Sequence, residues 1–208
     1  MLANLMLLLA LAAPPRDPVA AALESFRQVV SYRVTMRAQS EGSSEIVRYF
    51  YKKPGFVRME FIKPHKGAVL VYIPDKKKAR LRPFSYLKPL VLTLDPDSGM
   101  ITSPTGHRID ASDLGAFLET AKKLAEHGKS RITGSAMVGK REVLLVEVRG
   151  EEGVTVNGAV HRYLLWLDPQ TMLPLRTQAF DAGDKPVEDV VMDDLEINVD
   201  LADSFFDL

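Results

Sequence analysis

Cysteine is absent from this 208-residue sequence, and tryptophan occurs once, at Trp166. Without thiols there are no disulfides, no thiolate catalysis, no cysteine metal sites and no lipid-modified N-terminal cysteine. An excess of one charge sign is missing as well: 27 Lys and Arg stand against 27 Asp and Glu. That balance argues against a nucleic-acid partner, which needs clustered positive charge. Motifs for chemistry are also missing. No serine sits in a G-x-S-x-G elbow, and no glycine pattern makes a phosphate loop or a G-x-G-x-x-G turn. The four histidines, His65, His107, His127 and His161, fall on different predicted elements, without the i, i+4 or H-x-H spacing of a metal site. Acidic pairs such as Glu188-Asp189 lie in strand-like segments, where neighbours point to opposite faces. No metal and no cofactor are therefore expected, and no enzyme. The best catalytic candidate is His107, in a turn near Asp110 and Asp113.

Long apolar runs are confined to the start. About a dozen uncharged, Leu- and Ala-rich residues end in Ala10-Leu11-Ala12. The run is too short for a bilayer span, which takes roughly 20 residues. It reads as a secretory signal peptide over residues 1–12, followed by one domain over residues 17–208. The mature chain is expected to be soluble and periplasmic.

What the sequence has in quantity is β pattern. Residues 45–72 hold three strand-like segments joined at Lys53-Pro54-Gly55 and Lys63-Pro64-His65-Lys66-Gly67. Apolar side chains occupy both alternating sets, so this part of the sheet has two surfaces to hide, and the second is open to a lipid-like guest. Tyr32 to Gln39 alternates strictly. Further strands are predicted at 78–82, 90–94, 100–101, 130–138, 142–149, 159–168, 173–180 and 187–197. Two helices interrupt them. Asp17-Pro18 opens the first, with Ala21, Leu23, Phe26, Val29 and Val30 on its apolar stripe. The second runs through 111–128, with Leu114, Phe117, Leu118, Ala121, Leu124 and Ala125 at helical spacing, Ser112 as cap and Gly128 as stop. The fold class is α+β: a single strongly curved antiparallel sheet, an open half-barrel, with helices covering its concave face. Tyr49, Phe50, Tyr51, Phe56, Met59, Phe61, Tyr72, Phe84 and Tyr86 lie within about forty residues, and large adaptable side chains of this kind suit an irregular apolar guest. Lys76-Lys77-Lys78, Arg80 and Arg82, with Lys63, Lys66 and Lys88, form a basic run suited to an anionic headgroup.

Lys53-Pro54-Gly55-Phe56-Val57-Arg58-Met59-Glu60, the strand from Val69 to Tyr72, and Trp166-Leu167-Asp168-Pro169 through Arg176 resemble the periplasmic outer-membrane lipoprotein carriers, the LolA-like superfamily. Residues 90–118 are most similar to an uncharacterised exported bacterial branch of it. The resemblance implies an apolar cavity between curved sheet and helical lid that binds lipid or lipoprotein acyl chains. Tyr49, Tyr51, Val57, Met59, Phe61, Leu70, Tyr72 and Leu92 are the expected cavity residues; Leu114, Phe117, Leu118 and Ala121 the expected lid face. In that family an arginine before the motif proline locks the lid. Lys53 stands there in this sequence, without the planar fork of a guanidinium, and Arg58 is a second candidate. A carrier of this kind implies an inner-membrane donor and an outer-membrane acceptor. The alternatives are a non-catalytic envelope sensor that binds a protein partner, and an envelope hydrolase using His107.

Overall fold

The computed structural model describes residues 17–84, 90–103 and 105–208. The expected signal peptide at 1–12, Tyr86 and Lys88 lie outside the described residues.

Alternating apolar residues dictate strands, and the strands join in one sheet. They are β1 (Ser31–Ser40), β2 (Ser43–Lys52), β3 (Phe56–Lys63), β4 (Val69–Ile73), β5 (Lys78–Arg82), β6 (Leu92–Leu94), β7 (Gly128–Val138), β8 (Arg141–Gly150), β9 (Arg162–Leu167), β10 (Pro174–Phe180) and β11 (Pro186–Ile197). The order across the sheet is β6-β5-β4-β3-β2-β1-β11-β10-β9-β8-β7, all antiparallel and not closed into a barrel. Among the described strands, only the β1–β11 pairing joins distant parts of the chain, with Tyr32 opposite Ile197 and Ser40 opposite Glu188. The segment expected as a strand at 100–101 is instead a turn. Gly99 and the Asp95-Pro96-Asp97 corner bend the chain before any pairing can form.

Helix α1 (Pro18–Arg27) and helix α2 (Leu114–Glu126) lie on the concave face. Asp17 caps α1 as expected, its carboxylate accepting from the Val19 and Ala20 amides at 3.0 Å. Such a cap contributes about 0.5–2 kcal/mol. Val30 does not belong to the α1 stripe: the helix ends at Arg27 and Val30 is 58% exposed. Asp113, not Ser112, caps α2, accepting from Gly115 N at 2.8 Å and Ala116 N at 3.2 Å. Gly128 is not a left-handed stop either. It begins β7, where a Cβ would come within 2.0 Å of the Arg149 carbonyl oxygen.

The sheet has two apolar surfaces, as residues 45–72 demand, but the second is covered by the chain itself. Concave side chains such as Tyr49, Tyr51, Val57, Leu70 and Tyr72 join the main core with Val19, Phe26, Leu118 and Leu124 from the helices. Convex Val69, Val71 and Ile73 pack under Phe206, with Phe56, Leu201, Phe205 and Leu208 around them. The C-terminal segment folds back across β3 and β4, so this surface is not open to a guest. Arg58 Nη1 donates to the Phe205 carbonyl at 2.9 Å and Lys52 Nζ to the Leu201 carbonyl at 2.7 Å. Trp166 packs on the convex side with Val143 and Leu175, the Arg176 guanidinium lying 4.7 Å above its ring.

Candidate functional site

The concave face is not filled by side chains along its whole length. A cavity of about 610 Å³ lies between the middle of the sheet and the N-terminal half of α2. Its floor is apolar: Val34, Met36 and Ala38 of β1, Val47 and Tyr49 of β2, Met59 of β3, and Val190 and Met192 of β11. Its roof is Leu114, Ala116 and Phe117 of α2 together with the described part of the segment from Ser103 to Asp113. Ala38 of β1 and Ala179 of β10 also line the space.

Of the expected cavity residues, Tyr49 and Met59 line this space. Tyr51, Val57, Leu70 and Tyr72 do not. They are buried in packed core, and the Tyr51 ring stacks on Tyr32 at 5.1 Å and meets Phe26 at 5.9 Å. Phe26 of α1 covers Tyr51, and Tyr72 lies near Arg108 and Asp110. Phe61 is half-buried, its ring 6.3 Å from that of His65, and Leu92 is half-buried on the edge strand β6, paired with Leu81. Of the expected lid face, Leu114 and Phe117 border the cavity, while Leu118 and Ala121 are fully buried in the core. Phe117 meets Tyr163 of β9 edge to face, ring centroids 5.4 Å apart.

Neither lock candidate reaches α2. Lys53 Nζ donates to the carbonyl oxygens of Arg27 at 2.7 Å and Phe26 at 3.3 Å, at the end of α1. Arg58 sits on the convex side, as its alternation requires, and clamps the C-terminal segment. The groups that do hold the start of α2 are two buried phenols. Tyr32 Oη accepts from the Leu114 amide at 3.1 Å. Ser112 Oγ donates to the Ile109 carbonyl at 2.9 Å, so the Tyr49 hydroxyl 3.0 Å away donates to Ser112. Burial pushes both phenols well above their ordinary pKa. Sequence reasoning missed Tyr32, whose place in a regular alternation marks only its facing.

The cavity has a polar rim. Glu188 of β11 points inward there, with Thr105 Oγ1 donating to it at 2.7 Å and His107 Nε2 at 3.2 Å. The bond to Glu188 raises the His107 pKa against the opposing effect of burial. Burial raises the Glu188 carboxyl, but His107 and Thr105 outweigh it and leave the group below its ordinary value. Glu45 of β2 lines the same rim, its carboxyl pushed up by burial, with His65 opposing. Asp110 and Asp113 are not partners of His107: Asp110 is bound to Arg108 at 2.7 Å, and Asp113 caps α2. The expected catalytic pairing of His107 with either acid is not assembled. The basic run is also dispersed, with Lys78 paired to Asp95 and Arg80 bonded to the Leu208 carbonyl at 3.0 Å.

The model of the MucB/RseB N-terminal domain matches residues 88–207, more than half of the chain. The chain belongs to the MucB/RseB N-terminal domain family. Solved structures agree with this at the level of fold. The Pseudomonas aeruginosa MucA/MucB complex aligns at 17% identity and TM-score 0.53, over 92% of this chain and 59% of that one. An uncharacterized conserved protein from Thermus thermophilus aligns at 14% identity and TM-score 0.55, over 92% and 91%. Mycobacterium tuberculosis lipoprotein LppX aligns at 8% identity and TM-score 0.52, over 89% and 95%. The chain thus spans a little under three fifths of the MucB chain. No curated protein matches the sequence. The open, curved antiparallel sheet expected from the strand motifs is the fold found for this MucB/RseB-family chain. Among the described residues, no helix is long and apolar enough to cross a membrane.

Proposed function

We propose that this chain is an exported, periplasmic binding protein that takes an acyl chain of a lipid or lipoprotein into the concave cavity, without catalysis. One observation carries the reading: an apolar-floored space of about 610 Å³ between the sheet and the start of α2. Pockets that hold small ligands run from about 300 to 1,000 Å³. Burial contributes roughly 0.8 kcal/mol per CH₂ group, so a chain of ordinary length is held firmly by apolar contact alone. Removal of residues 1–12 during export precedes binding, and an inner-membrane donor and an outer-membrane acceptor complete the carrier role. Met36→Asp and Met59→Asp place a charge on the cavity floor. Each is expected to abolish binding of N-phenyl-1-naphthylamine, an uncharged apolar fluorophore, while circular dichroism stays that of the parent. Undiminished binding in both folded variants removes the cavity reading.

Family membership favours a second reading, in which the domain senses envelope state by binding a protein. MucB has been solved in complex with MucA(peri). A stable one-to-one complex with a single envelope protein, formed by the delipidated chain, supports this role. Lipid recovered by mass spectrometry from the purified periplasmic protein supports the first.

A further inference from the structure

The segment that closes one end of the cavity is hydrogen-bonded to the sheet at two places of different chemistry, with Ile109 between them buried in the main core. At 112–114 the ties run to the phenols of Tyr49 and Tyr32. Phenols do not titrate near neutral pH. At 105–107 both ties converge on one carboxylate, with Thr105 Oγ1 2.7 Å from Glu188 Oε1 and His107 Nε2 3.2 Å from Oε2. Glu188 projects into the concave side from β11, opposite Ala179 of β10 and Ser40 of β1. The end of the strap farthest from α2 therefore depends on a single acid, and one of that acid's two partners is a histidine.

We propose that His107 and Glu188 form a pH-sensitive latch that holds residues 105–108 over the cavity and lets this end of the strap lift, hinged on the buried Ile109, when His107 loses its proton. The proposal rests on the reading of the cavity as the binding site and adds how access to it is controlled. Charge on the surrounding elements does not replace the pair. Within the strap, Arg108 and Asp110 are bound to each other at 2.7 Å. From β2, Glu45 faces the rim and interacts with His65 of the β3–β4 turn and with Glu188. From β9, the Tyr163 phenol faces Glu188 and is held protonated by burial. From α2, Glu119 and Lys123 line the same cavity, and neither is among the groups that shift the Glu188 carboxyl, which are His107 and Thr105.

The sign follows from the two directions of shift. His107 is raised, so its contribution is complete below the ordinary histidine value near 6.5 and is lost as pH rises through the raised value. Glu188 is lowered, so its contribution is complete above the ordinary carboxylate value near 4.3 and is lost as pH falls through the lowered value. The latch is closed between those ordinary values and opens on the alkaline side. The side chains are 34% and 19% exposed, so solvent moderates the effect, and a change of about 3- to 10-fold is expected.

Hydrogen exchange of the peptide covering 105–114, corrected for the intrinsic pH dependence of exchange, reads the strap without any ligand. Exchange in the wild type should be about 3- to 10-fold faster at pH 8.5 than at pH 6.0. His107→Gln, which keeps a hydrogen-bonding group but not the charge, should be fast at both. Thr105→Val should exchange faster at both while keeping the pH response, and Glu188→Gln should be fast at both and lose it. Equal wild-type protection at the two pH values, or an unchanged pH response in His107→Gln, overturns the latch. Release of N-phenyl-1-naphthylamine should quicken with the same pH profile. If the fluorophore fails to bind at any pH while strap exchange keeps its profile, the binding reading fails and the latch stands.

Discussion

Lys53 Nζ lies 2.7 Å from the carbonyl oxygen of Arg27, so the β2–β3 turn grips the last turn of α1. A cation at a helix C-terminus meets both the free carbonyls and the negative end of the dipole. Lys53→Met should therefore cost about 0.5–1.5 kcal/mol in urea unfolding. Lys53→Arg should cost less, because it keeps the charge. A Lys53→Met variant as stable as the parent means that water serves those carbonyls equally well.

Gly115 stands where α2 crosses α1. A Cβ there would lie 2.3 Å from Phe26 Cε1. Alanine is favoured over glycine in a helix by up to about 1 kcal/mol. Overpacking costs about 1–3 kcal/mol, and Phe26 has little freedom to move, with Tyr51 5.9 Å and Tyr32 6.4 Å away. The clash should win: Gly115→Ala is expected to lower stability, and Phe26→Leu in the same chain to recover part of the loss. A stabilised single variant shows that the two helices pack more loosely than these distances state.

Phe206 is 1% exposed and seals the convex surface over Val69, Val71 and Ile73. Phe206→Ala should cost about 3–5 kcal/mol, the range for emptying a buried aromatic site. It should also raise the fluorescence of an apolar dye in the native state, because the strand surface beneath becomes accessible. A small cost without dye binding means that Phe205 or Leu208 takes over the seat.

Burial is the leading cause that raises the phenols of Tyr32, Tyr49, Tyr51 and Tyr163. Each ionises near pH 10 once unfolded. Stability from these groups is complete below that value and is lost as pH rises through the raised values. Tyrosinate absorbance should therefore appear together with loss of near-ultraviolet circular dichroism, in one cooperative step above about pH 10. Ionisation of these phenols well before unfolding contradicts their burial.

Local pattern made the fold legible. The alternation at 32–39, the strand signals between 130 and 197 and the helical spacing at 111–128 mark elements whose bounds the structure moves by a few residues. Helix ends were less legible, because Ser112 and Asp113 are both good caps and only the geometry selects Asp113. The site was legible in part. Tyr51, Val57, Leu70 and Tyr72, which the resemblance assigned to the cavity, do share the concave face with Tyr49 and Met59, but alternation carries nothing about which stretch of that face is filled. The His107–Glu188 pair left no trace, since its members are 81 residues apart.

By itself, then, the sequence determined the periodicity, and with it the strands, the two helices and the presence of two apolar sheet surfaces. Those follow from side-chain spacing along a local backbone. Tertiary structure alone decided that the C-terminal segment covers one surface, that α1 covers part of the other, and that a cavity remains beside β11 with a histidine and a glutamate at its rim. These depend on which distant segments meet, and that is set by the β1–β11 pairing and the competition of helices for the concave face.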